Sequence, residues 1–134
     1  MKSIFFIAFA CFSCIIVSCK KQKRCSAGTG GDITLIASPK HHILPIFSKV
    51  PYLDTIYLKF NTSESPGPGT SDYDIFFVGT VGTSNVRCEG LKCGDYYILA
   101  TGFDSTIDAR VFGGLPITLS EGENEKSIDV PVVE

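Results

Sequence analysis

One stretch decides the fold, and it reads VRCEGLKCGDYYILA over residues 86–100. Its second half alternates, so that Tyr96, Ile98 and Ala100 share one side of an extended chain, because successive side chains of a strand point to opposite faces. Gly94 stands just before this run, in a position typical of a turn. The stretch therefore predicts a short strand, a turn, and a second strand with one buried face.

The same period of two continues in both directions along the chain. Strands are predicted at residues 32–38, 55–61, 73–79, 84–88, 96–101, 106–112, 115–119 and 127–133. Proline and glycine mark the turns between them, and no segment shows the periodicity of an amphipathic helix. Segment 73–79 is apolar on both faces and predicts a central strand, whereas Pro131 indicates an edge strand or a bulge. The fold class predicted is all-β: one antiparallel two-sheet sandwich of seven to eight strands over residues 32–134.

The spacing of Leu91, Gly94 and Tyr96 resembles the strand–turn–strand signature of transthyretin-like (prealbumin-like) sandwiches. This group includes the carboxypeptidase regulatory-domain type and the B-type repeats of surface adhesins. Residues 128–132 resemble the final strand of the same folds. The resemblance implies that Leu91 closes one end of the core, Gly94 forms the tight turn and Tyr96 re-enters the core. The whole chain is also similar to small uncharacterised lipoproteins of Gram-negative bacteria, a likeness that implies no activity.

The N-terminal segment has the features of a secretion signal. Lys2 is followed by an uncharged apolar run, residues 4–17, of 14 residues. A helix that spans a bilayer needs about 20 apolar residues, so this run is too short to remain as an anchor. Residues 1–18 are therefore predicted to be a signal peptide.

The end of that run resembles the lipobox of bacterial lipoproteins, Ile16-Val17-Ser18-Cys19. The resemblance implies that a diacylglyceryl group, with fatty acids such as palmitate, is joined to the Cys19 thiol. The mature chain would then begin at Cys19, with this covalent lipid as its only cofactor. A plain signal peptide with an incidental Cys19 is the alternative. Residues 19–31 are polar and rich in glycine, which predicts a flexible tether.

Charge is unevenly distributed along the chain. Four cations follow the lipidation site closely, at positions 20, 21, 23 and 24, where they would lie beside anionic headgroups. From Ser26 onward, the chain contains seven Lys and Arg and fourteen Asp and Glu, which gives a formal charge near −7. An acidic body argues against nucleic-acid binding. Lys20 is not the aspartate that retains lipoproteins in the inner membrane, so by resemblance we expect an outer-membrane lipoprotein facing the periplasm.

Two cysteines near the predicted turn are candidates for a disulfide. Exported proteins meet an oxidising compartment, and strands that meet at a tight turn bring Cα atoms within bonding range. Cys88 and Cys93 are therefore predicted to pair, with free thiols or metal ligation as the alternatives. Cys25 is then left without an intramolecular partner.

The two histidines, His41 and His42, are candidate metal ligands. Neighbouring residues of a strand point to opposite faces, so both rings reach one ion only if the chain turns there. Leu44-Pro45 favour such a turn. With Cys88 or Cys93 the pair would suit copper or zinc. The alternative is one surface histidine and one half-buried histidine without a ligand. Two acid-rich turns, 71–74 and 104–108, suggest either calcium or ordinary turn chemistry.

No catalytic motif stands out, so the leading hypothesis is a non-enzymatic one. The chain is expected to be a membrane-anchored lipoprotein that presents a binding or accessory module in the cell envelope. Its partner would be an envelope protein or a glycan, contacted by Tyr57, Tyr97 and Phe112. A metal-binding lipoprotein is the first alternative and a small hydrolase the second. The urate-pathway hydrolases of the transthyretin group end in Tyr-Arg-Gly-Ser, whereas this chain ends in Pro-Val-Val-Glu.

Overall fold

The computed structural model describes residues 25–134. The predicted signal peptide and the lipidation site at Cys19 lie outside the described residues. The strands are β1 Thr29–His41, β2 Leu44–Pro45, β3 Thr55–Phe60, β4 Ile75–Val78, β5 Val86–Leu91, β6 Gly94–Asp104, β7 Ala109–Leu119 and β8 Glu125–Val132, with one 3₁₀ turn at Thr70–Asp72. The all-β prediction is confirmed. Between residues 25 and 134, no helix is long and apolar enough to cross a membrane.

The strands form two sheets of four. In the first sheet, β1 pairs with β2, β5 and β8; in the second, the order is β4-β3-β6-β7. Every pair is antiparallel except β1 and β8, which run parallel from Thr34–Glu125 to His41–Val132. The expectation of a wholly antiparallel arrangement is therefore wrong for this pair. In the described part of the chain β8 pairs only with β1, so the edge position indicated by Pro131 is confirmed.

The core lies between the two sheets and is built by alternating residues of both. The predicted inward residues of β1, Ile33, Leu35 and Ala37, are all buried. The second sheet supplies residues from β3 and β6 that are fully buried, namely Ile56, Leu58, Tyr96, Ile98 and Ala100. Burial of these side chains is the main favourable contribution to folding, at about 25 cal/mol for each Å² of apolar surface.

The segment between β5 and β6 crosses from one sheet to the other. Leu91 and Tyr96 are both fully buried, as expected, and they fill the end of the core. The Tyr96 hydroxyl lies 2.7 Å from the Lys92 carbonyl, to which it donates, and it accepts from the Gly28 amide at 3.0 Å. Gly94 has φ of +144°, and a Cβ there would lie 2.3 Å from the Ala27 nitrogen. Glycine is therefore required at this crossing.

The region predicted as two strands, 106–112 and 115–119, is the single strand β7. Gly113 and Gly114 lie inside it because other backbone approaches closely there: a Cβ on either would lie 2.2 Å from a carbonyl oxygen, that of Pro131 or of Ile98. Residues 105–108 form the turn before β7, and Ile107 is exposed instead of inward. Segment 73–79 is also placed differently, because β4 is an edge strand and not a central one.

The N-terminal part of the described chain is packed against the domain. Cys25 is bonded to Cys93, and the Ala27 amide donates to the Asn61 side-chain oxygen at 2.9 Å. Ala27 itself is buried. Residues 25–31, predicted to belong to a flexible tether that ends at residue 31, are therefore part of the folded unit.

Candidate functional site

The disulfide joins Cys25 to Cys93, with Cα atoms 5.1 Å apart. The predicted Cys88–Cys93 pair is wrong, because β5 and β6 belong to different sheets and do not form a hairpin. Cys88 points into the core from β5 and is fully buried. Burial raises the pKa of its thiol to about 12, which keeps it protonated and unsuited to metal ligation.

At the other end of β1, His41 is held by a carboxylate. The ring is 4% exposed, and its Nδ1 lies 2.7 Å from Oδ2 of Asp104 at the end of β6. Hydrogen bonds from Thr106 and from His41 lower the pKa of Asp104 to about 2. An ionised carboxylate only accepts hydrogen bonds, so Nδ1 of His41 carries the proton and Nε2 has a free lone pair when the ring is neutral.

A tight turn connects β1 to β2 and brings the second histidine beside the first. His42 and Ile43 both have positive φ, 47° and 67°, and the His41 and His42 ring centroids are 4.2 Å apart. The exposed carboxylate of Glu134 completes a group whose three ligand atoms lie within 4.8 Å of one another. The turn suggested by the sequence thus brings both rings to one side.

The cysteines proposed as further metal ligands are not part of this group. Cys88 lies in the core, and Cys93 forms a disulfide with Cys25 and so has no thiol to offer. Asp104 and Glu134 are instead the groups that accompany the histidines. The sequence places Asp104 in an acid-rich turn, but it does not indicate that Asp104 or Glu134 lies beside the histidines, because both are brought there only by the tertiary fold.

The Asp104–His41 pair resembles the orienting half of a hydrolytic triad. A nucleophile would have to hydrogen-bond to the other ring nitrogen. Among the hydrogen bonds of residues 25–134, none joins a serine, threonine or cysteine to His41. The small-hydrolase alternative therefore has no support from the geometry.

A second candidate site is a groove of about 460 Å³ on the outer face of the second sheet. Leu99 forms its floor. Thr101 on β6 is paired with Thr55 on β3 at one side and with Phe112 on β7 at the other. The groove is lined by residues of β3, β6 and β7 and of the two loops beside them, among them Tyr52, Tyr57, Pro68, Thr70 and Arg110.

Aromatic and cationic groups are stacked at one wall of this groove. Tyr52 lies flat on Phe103, with ring centroids 4.5 Å apart, and the Arg110 guanidinium lies 4.9 Å from the centre of the Tyr52 ring. Within the described residues, Arg110 takes part in no ion pair. It is thus available to a ligand. Of the predicted contact residues, Tyr57 and Phe112 line the groove, whereas Tyr97 does not.

A third candidate site is a cavity of about 560 Å³ beside the disulfide. It includes residues 25–27 and the turn before β8, and its charged groups are Asp32, Lys92, Glu121 and Glu123. None of the described residues that line it is aromatic, and it lies at the Cys25 end of the domain.

The acid-rich turns use their carboxylates for local structure. Asp74 accepts from the Phe60 amide at 2.7 Å and from Lys59 at 3.1 Å. Asp104 accepts from the backbone and hydroxyl of Thr106. These contacts favour ordinary turn chemistry over a calcium site.

One buried carboxyl group has no counterpart among the predicted site residues. Asp54 is fully buried, and neither of its carboxylate oxygens has a hydrogen-bond partner among the described residues. Burial raises its pKa to about 6. The glycine at position 102 makes room for it, since a Cβ there would lie 2.6 Å from Asp54 Oδ1.

Comparison of the chain with protein-family models, with curated proteins and with solved structures finds no match.

Proposed function

We propose that this chain is a lipoprotein of the bacterial cell envelope, anchored through a lipid on Cys19, that presents a β-sandwich module for binding an envelope glycan. The observation that carries the binding role is the groove on the second sheet. It combines aromatic faces, hydroxyl groups and a cation that forms no ion pair with residues 25–134 in one concave surface, which is the usual composition of a small-molecule site.

Three features support export and anchoring. The signal-like segment 1–18 and the lipobox-like Ile16-Val17-Ser18-Cys19 are features of the sequence. The Cys25–Cys93 disulfide is an independent feature, because disulfides persist in oxidising compartments such as the periplasm. The transthyretin-like character of the sandwich is part of the same proposal, supported by the two sheets and by the buried Leu91 and Tyr96 at the crossing between them.

The position of the disulfide suggests how the module stands on the membrane. Cys25 follows Cys19 by six residues, which span at most about 20 Å. The Cys25–Cys93 end of the domain would thus stay near the bilayer. Strand β1 runs away from that end for 13 residues, about 40 Å. The groove lies toward the distal end, where β6 carries Thr101, and would face the periplasm.

A saccharide fits the chemistry of the groove better than an apolar ligand does. Sugar rings have an apolar face that packs against aromatic rings, here Tyr57 and Phe112, and hydroxyl groups that need partners, here Thr55 and Thr101. Arg110 adds a planar donor suited to a carboxylate or phosphate on an acidic sugar. A peptide from an envelope protein is the competing ligand.

The anchor predicts a defined mass for the protein isolated from membranes. We expect intact mass spectrometry to give residues 19–134 plus acyl chains, and a Cys19→Ala variant to keep its signal segment and carry no lipid. Ser18→Ala, which keeps a small residue before the cysteine, is the matched control and should be processed normally. An unacylated mass for the native protein would refute the anchor.

The groove predicts selective loss of glycan binding. We expect the full chain in detergent micelles to bind members of an array of bacterial envelope glycans that includes peptidoglycan fragments. Tyr57→Ala should weaken binding about two- to tenfold, since an aromatic contact contributes about 0.5–1.5 kcal/mol.

Phe47→Ala is the control, because Phe47 is an exposed aromatic residue that does not line the groove. Equal affinities for the two variants would place the site elsewhere. If no glycan binds but crosslinking in intact cells joins the groove to an envelope protein, the ligand is a peptide and the glycan proposal is wrong.

A further inference from the structure

We propose that the end of β1 is a site for a divalent transition-metal ion, bound by Nε2 of His41, a ring nitrogen of His42 and the side-chain carboxylate of Glu134. The site is separate from the groove and adds a metal-binding role to the one proposed above. The proposal rests on the arrangement of these three side chains and on the groups that hold them.

The ring of His41 is oriented by a carboxylate, as the rings of metal-binding histidines usually are. Its ring is buried, and its Nδ1 is 2.7 Å from the Asp104 carboxylate. Asp104 is itself fixed by the amide and hydroxyl of Thr106, at 2.8 and 2.7 Å. In metal sites the ligating histidine usually donates its other ring nitrogen to a carboxylate, which sets the ring orientation and the tautomer. The supporting contacts that such a ligand needs are therefore already in place.

The turn that presents His42 is strained. Two-residue hairpin turns with positive φ at both central positions normally contain Asn-Gly or Asp-Gly, whereas here the residues are His42 and Ile43. Positive φ is an outlier for a β-branched residue, and the Ile43 side chain is 87% exposed, so it gains little by burial. Backbone strain of this kind is concentrated at functional sites. Its effect here is to place the His42 ring against His41.

The three side chains are close enough to close around one ion. One donor atom from each of them lies within 4.8 Å of the other two, whereas ligands of tetrahedral zinc, each about 2.0–2.1 Å from the metal, are about 3.3 Å apart. His42 and Glu134 are exposed and can rotate inward, while His41 is fixed. Two imidazoles and one carboxylate favour zinc or copper over calcium or magnesium. Three protein ligands leave a fourth position for water or an exogenous ligand.

The site is tested by calorimetric titration of the full acylated chain in detergent, after chelator treatment, with Zn²⁺ as the probe. We expect saturable binding of one ion per chain. His42→Gln and Glu134→Gln should each weaken binding at least about tenfold, a change of about 1.4 kcal/mol in binding free energy. Asp104→Asn, which removes the charged acceptor behind His41, should weaken it about 10- to 100-fold.

Glu89→Gln is the matched control, because Glu89 is an exposed carboxylate on β5 outside the cluster. Both His42 and Glu134 are at the surface, so their replacement should leave folding intact. In spectra of the ¹⁵N-labelled chain, Zn²⁺ should shift Nε2 of His41 while Nδ1 stays protonated. Absence of saturable Zn²⁺ binding, or equal affinities for His42→Gln and Glu89→Gln, would overturn the proposal. Groove variants such as Tyr57→Ala should bind Zn²⁺ normally, which separates this test from that of the glycan site.

Discussion

Replacing Cys93 with serine is expected to lower the free energy of unfolding by about 4 kcal/mol, because the Cys25–Cys93 bond closes a loop with a sequence separation of 68 residues. Domains of this size are stable by about 5–15 kcal/mol, so the loss is a large part of the total. Chemical denaturation without reductant measures it. Cys25→Ser should give the same loss, and the double variant should lose no more, since both changes remove one bond.

Cys88→Ala provides the control that separates the two possible pairings. With a Cys25–Cys93 bond, this change only removes a buried sulfur atom and costs about 1 kcal/mol. If Cys88 and Cys93 were bonded instead, their single variants would be equally unstable and Cys25→Ser would be neutral. A reductant should destabilise the wild type and Cys88→Ala, but not Cys93→Ser. Peptide mapping of the oxidised chain identifies the linked cysteines directly.

The cysteine pairing depends on information that local sequence does not carry. Period-two alternation places Ile98 and Ala100 on the inner face of β6, and the structure agrees. Alternation does not tell which sheet a strand joins. A hairpin between β5 and β6 would bring Cys88 close to Cys93, whereas a crossing between sheets separates them. The local pattern therefore predicts where a strand lies and which face it buries. Which sheet the strand joins, and hence which cysteines meet, depends on long-range pairing.

Glycine is ambiguous for a related physical reason. Its frequency in linkers and turns predicts a tether at Gly31 and a turn at Gly113-Gly114. In the fold these positions are where other backbone comes closest: a Cβ on Gly31 would lie 2.2 Å from the Leu91 carbonyl oxygen. A glycine selected for close packing and a glycine selected for flexibility look alike in a single sequence.

Some residues of the candidate sites can likewise be predicted from the sequence, and others cannot. Residue type alone predicts His41 and His42, and outward positions on strands predict the groove residues Tyr57 and Phe112. Asp104 reaches His41 across 63 positions of sequence, and that contact depends on how β1 in the first sheet packs over β6 in the second. No local pattern reports such a contact. The burial of Asp54 is equally hidden, because nothing beside it in the sequence indicates it.

Asp54 is expected to make the protein less stable as pH rises from about 4 to 6. Its pKa in an unfolded chain is near 3.8, and burial raises it to about 6 in the folded state. Well below pH 3.8 the carboxyl group is protonated in both states and has no effect on stability. Between the two values the unfolded chain releases the proton and the folded chain keeps it, so unfolding is favoured. The total loss is about 3 kcal/mol, complete once the pH exceeds the folded value.

An Asp54→Asn variant isolates this contribution, because asparagine has a similar shape and no charge. We expect the difference in unfolding free energy between variant and wild type to grow in favour of the variant by about 2–3 kcal/mol between pH 4 and pH 7. The side-chain amide of the variant is also buried without partners, which costs about 1–3 kcal/mol at every pH. This cost offsets the difference in unfolding free energy by a constant amount and does not change its dependence on pH. Asp32→Asn, at an exposed position, is the control and should follow the wild-type profile. A difference that stays constant over this range would mean that Asp54 is charged in the folded protein. In that case solvent or a cation must reach the buried carboxylate.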